Sequence, residues 1–392
     1  MYFYIFLETA NMEFILSNAN VFAYLVSRDL CTQEEANSKV ERKSAKNFNL
    51  LVSLSAGRKL LVKQEPFTGQ QEVANEFLRE WRIHEFIQRF SELGYISAWL
   101  PEVIHFDAEN SLIVINYLTN YRDLAEFYAQ ENNFAPDIAG AIGSALATIH
   151  GATLNCQEYQ EFFVQDTASE TERELQLTEG LDKIGPEIFG QVPDDGLKFF
   201  ALYQRYDSLG QAIAQLSHAY KPCCLTHNDL KLNNILLPLD WENHLQIRLI
   251  DWERSDWGDP AFDLGSLIAS YLLVWLTSLV VSKSIGIEEA LRLAMTPLED
   301  LQPSLVALMR SYCERFPEIF ELRPDFLPRV MQFTGLNLIK AIQSMLQYQK
   351  SFGNTGICLL QVAKSLLCRP EASIRTIFGI EELELTRLVR SA

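Results

Sequence analysis

The chain has 392 residues, 48% hydrophobic and 21% charged, which is enough apolar material for two lobes and leaves no low-complexity tract for long disorder. Its 33 basic and 51 acidic residues give a formal net charge of −18 with no basic stripe, which excludes the usual nucleic-acid-binding surface and fits a cationic substrate or simple solubility. Seven cysteines, at 31, 156, 223, 224, 313, 358 and 368, are odd in number and form no C-x-x-C pair, which argues against a disulfide framework or zinc site and for a reducing cytoplasm.

The opening MYFYIFLETANMEF lacks a basic n-region and a small-residue cleavage site, so it does not read as a signal peptide. Met12 is an alternative start, because a helical pattern begins only near Ala19. NFNLLVSL (47–54) and RKLLVKQE (58–65) read as strands joined through Ser55, Ala56 and Gly57, a hairpin. EVANEFLREWRIHEFIQRF (72–90) spaces Val73, Phe77, Trp81, Phe86, Ile87 and Phe90 for an amphipathic helix. Two further strand-like runs follow, around 101–107 and 111–118. Beyond Thr119 the pattern turns helical, over 139–154, 197–219, 264–281 and 326–350, and β-type runs return only within 222–250. The expected fold is therefore α+β: a small β-rich lobe over residues 1–118, then a larger, mainly helical lobe over 119–392. The boundary falls near Asn116 to Arg122.

LGSLIASYLLVWLTSLVV (264–281) carries no charge and is barely long enough to span a bilayer. Asp259 and Asp263 precede it and no basic cluster marks a cytoplasmic flank, so it reads as a helix buried inside a soluble lobe rather than a membrane anchor.

LTHNDLKLNNILL (225–237) sets His227, Asn228, Asp229, Lys231, Asn233 and Asn234 between apolar flanks. Buried polar groups without partners cost free energy, so such a cluster sits in a loop or binds something. A second apolar run, LQIRLI, ends in Asp251, Trp252 and Glu253. Carboxylates and a carboxamide at adjacent strand ends are hard oxygen ligands suited to Mg²⁺, as nucleotide-phosphate chemistry needs.

H-N-D-L-K-L-N-N resembles the catalytic loop of the protein-kinase-like fold, H-x-D-x-x-x-x-N. I-D-W-E resembles its metal-binding segment in the form common among small-molecule kinases. GDPAFDLGSLI (258–268) is similar to the G-D-P-x-x-D-L segment of the aminoglycoside phosphotransferase and choline kinase families, and ALATIHG (145–151) to their L-A-x-x-H helix end. The resemblance spans roughly residues 40–280.

The resemblance implies a two-lobed kinase-like fold and an ATP- and Mg²⁺-dependent phosphotransferase. By position, Asp229 would accept or orient the proton of the attacking hydroxyl. Lys231, where aminoglycoside phosphotransferases usually carry histidine, would contact the transferring phosphoryl group. Asn234 and Asp251 would hold Mg²⁺ ions bridging the ATP phosphates. Lys63 would pair with the α- and β-phosphates, partnered by Glu80 in preference to Glu76. Ser44, Asn116 and Leu118 complete the nucleotide-binding set. His227 would brace the loop, and Asp263 would tie down its backbone. The chain departs from the pattern at KSAKNFN (43–49), the loop expected over the phosphates, which has no glycine; small Ser44 and Ala45 still allow close backbone approach.

Only seven residues separate Asp251 from Asp259, no room for the activation loop that positions peptides, so a small acceptor is expected. Residues 151–220 hold 12 acidic and 4 basic side chains, among them Glu158, Glu161, Asp166, Glu170, Glu172 and Glu174. They form either a solvated segment or a surface that attracts an amine-bearing alcohol such as an aminoglycoside, choline or ethanolamine. Sugar and homoserine-type acceptors stay open. Trp252, Trp257 and Trp275 are either core or the makings of a choline cage. In a different function class, the chain is a catalytically inactive nucleotide-binding scaffold. The glycine-free loop favours that class; intact Lys63, Asp229, Asn234 and Asp251 oppose it.

Overall fold

The computed structural model describes residues 14–37, 39–43, 47–66, 76–164, 194–280, 289 and 292–386. Met12, Ser44, Ala45, Val73, Asp166, Glu170, Glu172 and Glu174 lie outside the described residues. The chain forms two compact units, one of Met1–Gln88 with Pro101–Asn120 and the other of Arg89–Leu100 with Tyr121–Ala392.

The first unit is built on an antiparallel sheet of β1 (Val40–Lys43), β2 (Phe48–Ser53), β3 (Lys59–Gln64), β4 (Val103–Asp107) and β5 (Leu112–Asn116), in the order β1-β2-β3-β5-β4. Side chains alternate between faces along a strand, and here both faces are covered, so the strands read as nearly continuous apolar runs. On one face Leu50, Val52, Leu60, Val62, Leu112 and Val114 pack with Val21, Tyr24 and Leu25 of helix α1 (Val21–Ser27). On the other, Leu61, Ile113 and Ile115 pack with Phe77 of α2 (Glu76–Arg89). Lys63 lies on that second face, beside α2.

The β2–β3 hairpin turns through Ala56 and Gly57 at φ 55° and 76°, left-handed conformations that glycine adopts without a Cβ penalty. Strand β1 has no counterpart in the hydrophobic pattern. Its sequence, VERK, offers one apolar side chain, and the edge strand is held by its ladder to β2.

The second unit is mainly helical. It carries α3 (Leu124–Glu131), α4 (Pro136–Thr153), α5 (Gln157–Val164), α6 (Asp194–Gln204), α7 (Asp207–His218), α8 (Pro260–Thr277), α9 (Leu298–Arg315), α10 (Glu318–Leu322), α11 (Phe326–Tyr348), α12 (Asn354–Cys368), α13 (Pro370–Phe378) and α14 (Glu382–Leu385). The expected helix over 197–219 is two helices, because the chain leaves helical geometry at Tyr206, with φ −114° and ψ 82°. Helix α4 packs on α9, and α8 packs on α11, which in turn packs on α12. A Cβ on Gly265 of α8 would lie 2.6 Å from the Phe333 side chain and 2.8 Å from the Thr334 nitrogen, so that crossing requires glycine. Among the described residues one helix, α8, is long and apolar enough to cross a membrane, and 78% of it is buried inside the protein.

Two small antiparallel sheets interrupt the helices: β6 (Tyr121–Asp123), β8 (Ile235–Pro238) and β9 (Arg248–Leu249) in the order β6-β8-β9, and β7 (Cys224–Thr226) with β10 (Asp256–Gly258). Both sheets flank the polar loop 227–234, so its ends are fixed by backbone ladders.

Candidate active site

In the sheet unit, β3 places Lys63 with its Nζ 3.9 Å from Glu80 Oε2, their side chains 10% and 1% exposed. Glu80 stands one turn into α2, and the amide of Phe77 donates to Glu65 Oε1 at 2.6 Å, which ties the helix start to the end of β3. Lys63 Nζ also lies 6.0 Å from the centre of the Phe77 ring. Asn116 closes β5, with Nδ2 donating to Glu102 Oε2 at 2.7 Å, and Leu118 is half-buried just beyond it.

In the helical unit, β7 delivers the chain into the loop and a short 3₁₀ turn, Leu232–Asn234, leads out of it into β8. Asp229 Oδ2 accepts from Lys231 Nζ at 2.9 Å, with side chains 26% and 43% exposed. Asn234 is buried, and its Nδ2 donates to the Asp229 carbonyl at 2.9 Å and to Asp229 Oδ2 at 3.4 Å. These bonds commit the amide nitrogen to Asp229 and leave Oδ1 as the atom that can take a cation.

The Ile250 amide donates to the Asn234 carbonyl at 2.9 Å, so the next residue, Asp251, enters beside Asn234. Asp251 sits at φ 61° and ψ 58°, a left-handed conformation that Asp tolerates better than most residues and that recurs at functional sites. One carboxylate and one amide oxygen suit Mg²⁺, which keeps several waters and takes phosphate oxygens to fill its shell. No group of three or more His, Cys, Asp or Glu side chains poised for a metal occurs among the described residues, so the donor set is not a closed protein cage. The residues fit the ion.

Behind the loop lies a buried polar frame. Asp263 accepts the amides of His227 and Asn228 at 2.7 and 2.8 Å, and His150 Nε2 approaches it at 3.2 Å. His150 Nδ1 in turn meets the Tyr312 hydroxyl at 2.9 Å. Burial works against the Asp263 charge, but the His150 hydrogen bond and charge, with His227 beside them, outweigh it and hold the carboxyl below its ordinary range. His227 is fully buried, with Nε2 donating to the Ile250 carbonyl at 2.9 Å and its ring against Trp252, which makes it a brace rather than a base. Asn228 takes φ 61°, the turn that lets its own and the preceding amide both reach Asp263.

Asp259 caps α8, accepting the Ala261 amide at 3.0 Å, and its other oxygen takes Arg323 Nη1 at 2.6 Å and the Lys221 amide at 3.0 Å. Arg323 has no local signal in the sequence, since its partner lies 64 residues away. His150 falls in the ALATIHG run already singled out, but its partners Asp263 and Tyr312 are set by tertiary packing. Trp252, Trp257 and Trp275 are all buried as core.

A model of the phosphotransferase enzyme family (APH) matches residues 42–281. The chain belongs to that family. Its fold is similar to that of a Plasmodium vivax ethanolamine kinase, at 18% identity over 94% of this chain and 91% of that one, with a TM-score of 0.54. Similarity extends to a choline/ethanolamine kinase family protein from Mesorhizobium loti, at 17% identity over 91% of this chain and 94% of that one, with a TM-score of 0.47. An ADP-bound aminoglycoside phosphotransferase is 17% identical over 90% of this chain and 99% of that one, with a TM-score of 0.49. No curated protein matches the chain. This phosphotransferase family member thus has the two-lobed, protein-kinase-like fold, with a β-rich N-terminal lobe and a mostly helical C-terminal one.

Proposed function

We propose that the protein transfers the γ-phosphate of ATP to a hydroxyl of a small molecule such as an amino-alcohol, an aminoglycoside or a sugar-like compound. The observation that carries this is the loop geometry: Asp229, Lys231 and Asn234 are hydrogen-bonded to one another, and the loop backbone is clamped from behind by Asp263.

In the sheet unit, Lys63 takes the α- and β-phosphates, held in place by Glu80. In the helical unit, Asn234 and Asp251 would hold Mg²⁺, which would supply charge neutralisation for the phosphates. Asp229 accepts a hydrogen bond from the acceptor hydroxyl and orients its oxygen toward the γ-phosphorus. As the new O–P bond forms, the bond from the γ-phosphorus to the β–γ bridging oxygen breaks, ADP leaves, and the hydroxyl proton passes to Asp229. Lys231, at 2.9 Å from Asp229, is close enough to follow charge on the moving phosphoryl group.

The stretch after Asp251 supports a small acceptor. It passes through a single 3₁₀ turn, Trp252–Arg254, and β10 before α8 begins, with no loop to dock a peptide. The net charge of −18 favours acceptors that carry an amine.

The test is phosphate transfer from γ-labelled ATP with Mg²⁺ to a panel of amino-alcohols, sugars and aminoglycosides, run beside Asp229→Asn. One labelled acceptor, with the rate in the variant reduced about 10²-fold or more, is the expected result. Tight Mg²⁺-dependent nucleotide binding with no transfer to any acceptor would favour an inactive nucleotide-binding scaffold, and no nucleotide binding at all would end the kinase mechanism.

A further inference from the structure

The segment that the resemblance expects to cover the phosphates has no glycine, and polar side chains set in register with Lys63 flank residues 44–46. Asn49 stands directly opposite Lys63 in the β2–β3 pair and opposite Lys43 in the β1–β2 pair. Residues paired in this way point to the same face, with Cβ atoms about 4.5–5.5 Å apart. Across the sheet the row reads Lys43, Asn49, Lys63, Ile113 and Phe106: two cations with a neutral amide between them, then the apolar patch beside Phe77. Glu41, on this face of β1, is engaged by Lys39 at 2.6 Å and also feels the Lys43 charge.

Asn49 is only 9% exposed, and its Oδ1 is buried with no hydrogen-bond partner among the described residues. Oδ1 of Asn47, two residues earlier, is also buried with no hydrogen-bond partner among the described residues. A buried amide end without a partner forfeits its solvation, so such groups are rare and call for an explanation. A half-turn about χ2 exchanges Oδ1 and Nδ2, and the unpartnered end can then present N–H donors. Donors flanked by two ammonium groups match an anion with many oxygens.

We propose that Asn49, with Lys43 beside it, binds the phosphate chain of the nucleotide through side-chain contacts, taking the place of the backbone N–H grip that a glycine-rich loop supplies. This assignment rests on Lys63 as the partner of the α- and β-phosphates. Asn49 recognises the phosphates and contributes nothing to the base or the ribose.

The experiment titrates the full chain, with Mg²⁺, with ATP and GTP and with adenosine and guanosine, for the wild type, Asn49→Ala, Asn49→Leu and Lys43→Ala. Both Asn49 variants are expected to lose about 10-fold or more in triphosphate affinity, as for a hydrogen bond to a charged group, with nucleoside affinity unchanged. Ligand-free Asn49→Leu is expected to melt at a higher temperature than the wild type, because an apolar side chain of similar shape replaces an unsatisfied amide. Lys43→Ala should lose less, and its loss should shrink in high salt.

Unchanged triphosphate affinity in Asn49→Leu, with a wild type that binds, overturns this inference alone. So does an equal loss for triphosphate and nucleoside with a lowered melting temperature, which marks a structural role. A wild type that binds neither triphosphate overturns both this assignment and the phosphotransferase mechanism. If Asn49→Leu does not fold, the same comparison of triphosphate with nucleoside on Asn49→Ala decides.

Discussion

Arg323 and Asp259 meet at 2.6 Å inside the helical unit, with side chains 6% and 0% exposed. Burial pulls the guanidinium down, but the Asp259 charge outweighs it and leaves Arg323 above its ordinary value. The carboxylate also caps α8, so the pair fixes the start of the helix that carries Asp263. Arg323→Met is expected to strand a buried charge and cost about 3–5 kcal/mol, measured by urea unfolding. Adding Asp259→Asn removes that charge and should recover part of the loss. A single variant as stable as the wild type would refute the structural role given to the pair.

Asp263 links the frame behind the loop to acid stability. Its folded-state pKa lies below the unfolded value near 3.9, so its contribution is present above that pH and is lost as pH falls through the lowered value. The difference in stability between the wild type and Asp263→Asn should therefore be largest near neutrality and narrow from about pH 4 downward. Melting temperatures of both proteins across that range supply the check, and a gap that does not change with pH would contradict it.

His84, one turn beyond Glu80 on α2, is pushed down to about 4 by burial alone, and its Nε2 has no partner among the described residues. The unfolded chain takes up this proton near pH 6.5 while the folded one resists until about pH 4, so folding stability falls over that window as pH drops. The full loss is about 3 kcal/mol at about 1.4 kcal/mol per unit. In His84→Phe this part of the acid sensitivity should disappear, seen as a shallower dependence of the urea midpoint on pH between those limits.

Lys231 shares its ammonium with Asp229 at 2.9 Å and stays 43% exposed, a charge that can move with a reacting group. If it follows the phosphoryl group in flight, Lys231→Met lowers kcat about 10- to 100-fold with little change in nucleotide affinity. Steady-state kinetics beside a binding titration separate the two. A rise in KM at constant kcat would assign Lys231 to ground-state binding instead.

Much of the site could be read from the chain because its parts are contiguous. Asp229, Lys231 and Asn234 lie within six residues, and the loop that joins them is too short to place them far apart. Lys63 and Glu80 were expected from the resemblance, and the structure brings them together because Lys63 lies on the α2 side of β3 and Glu80 is buried on α2. Arg323 and Tyr312 depend on which helices pack together, and no local pattern records that choice; the tie from Asp263 to the loop backbone was expected from the resemblance. Strand β1 is implied only by the resemblance, which puts residues 43–49 between two strands, because an edge strand is held by backbone bonds that leave little mark on side-chain hydrophobicity. The break at Tyr206 was missed because hydrophobic periodicity continues across it into α7.

The stretch between Asp251 and Asp259 has one more consequence. It contains a single hydroxyl side chain, Ser255, which is 6% exposed, and its second half is pinned to β7 as strand β10. A modifying kinase would find nothing there to phosphorylate and no slack to reorder. The molecule has no ignition key in that segment.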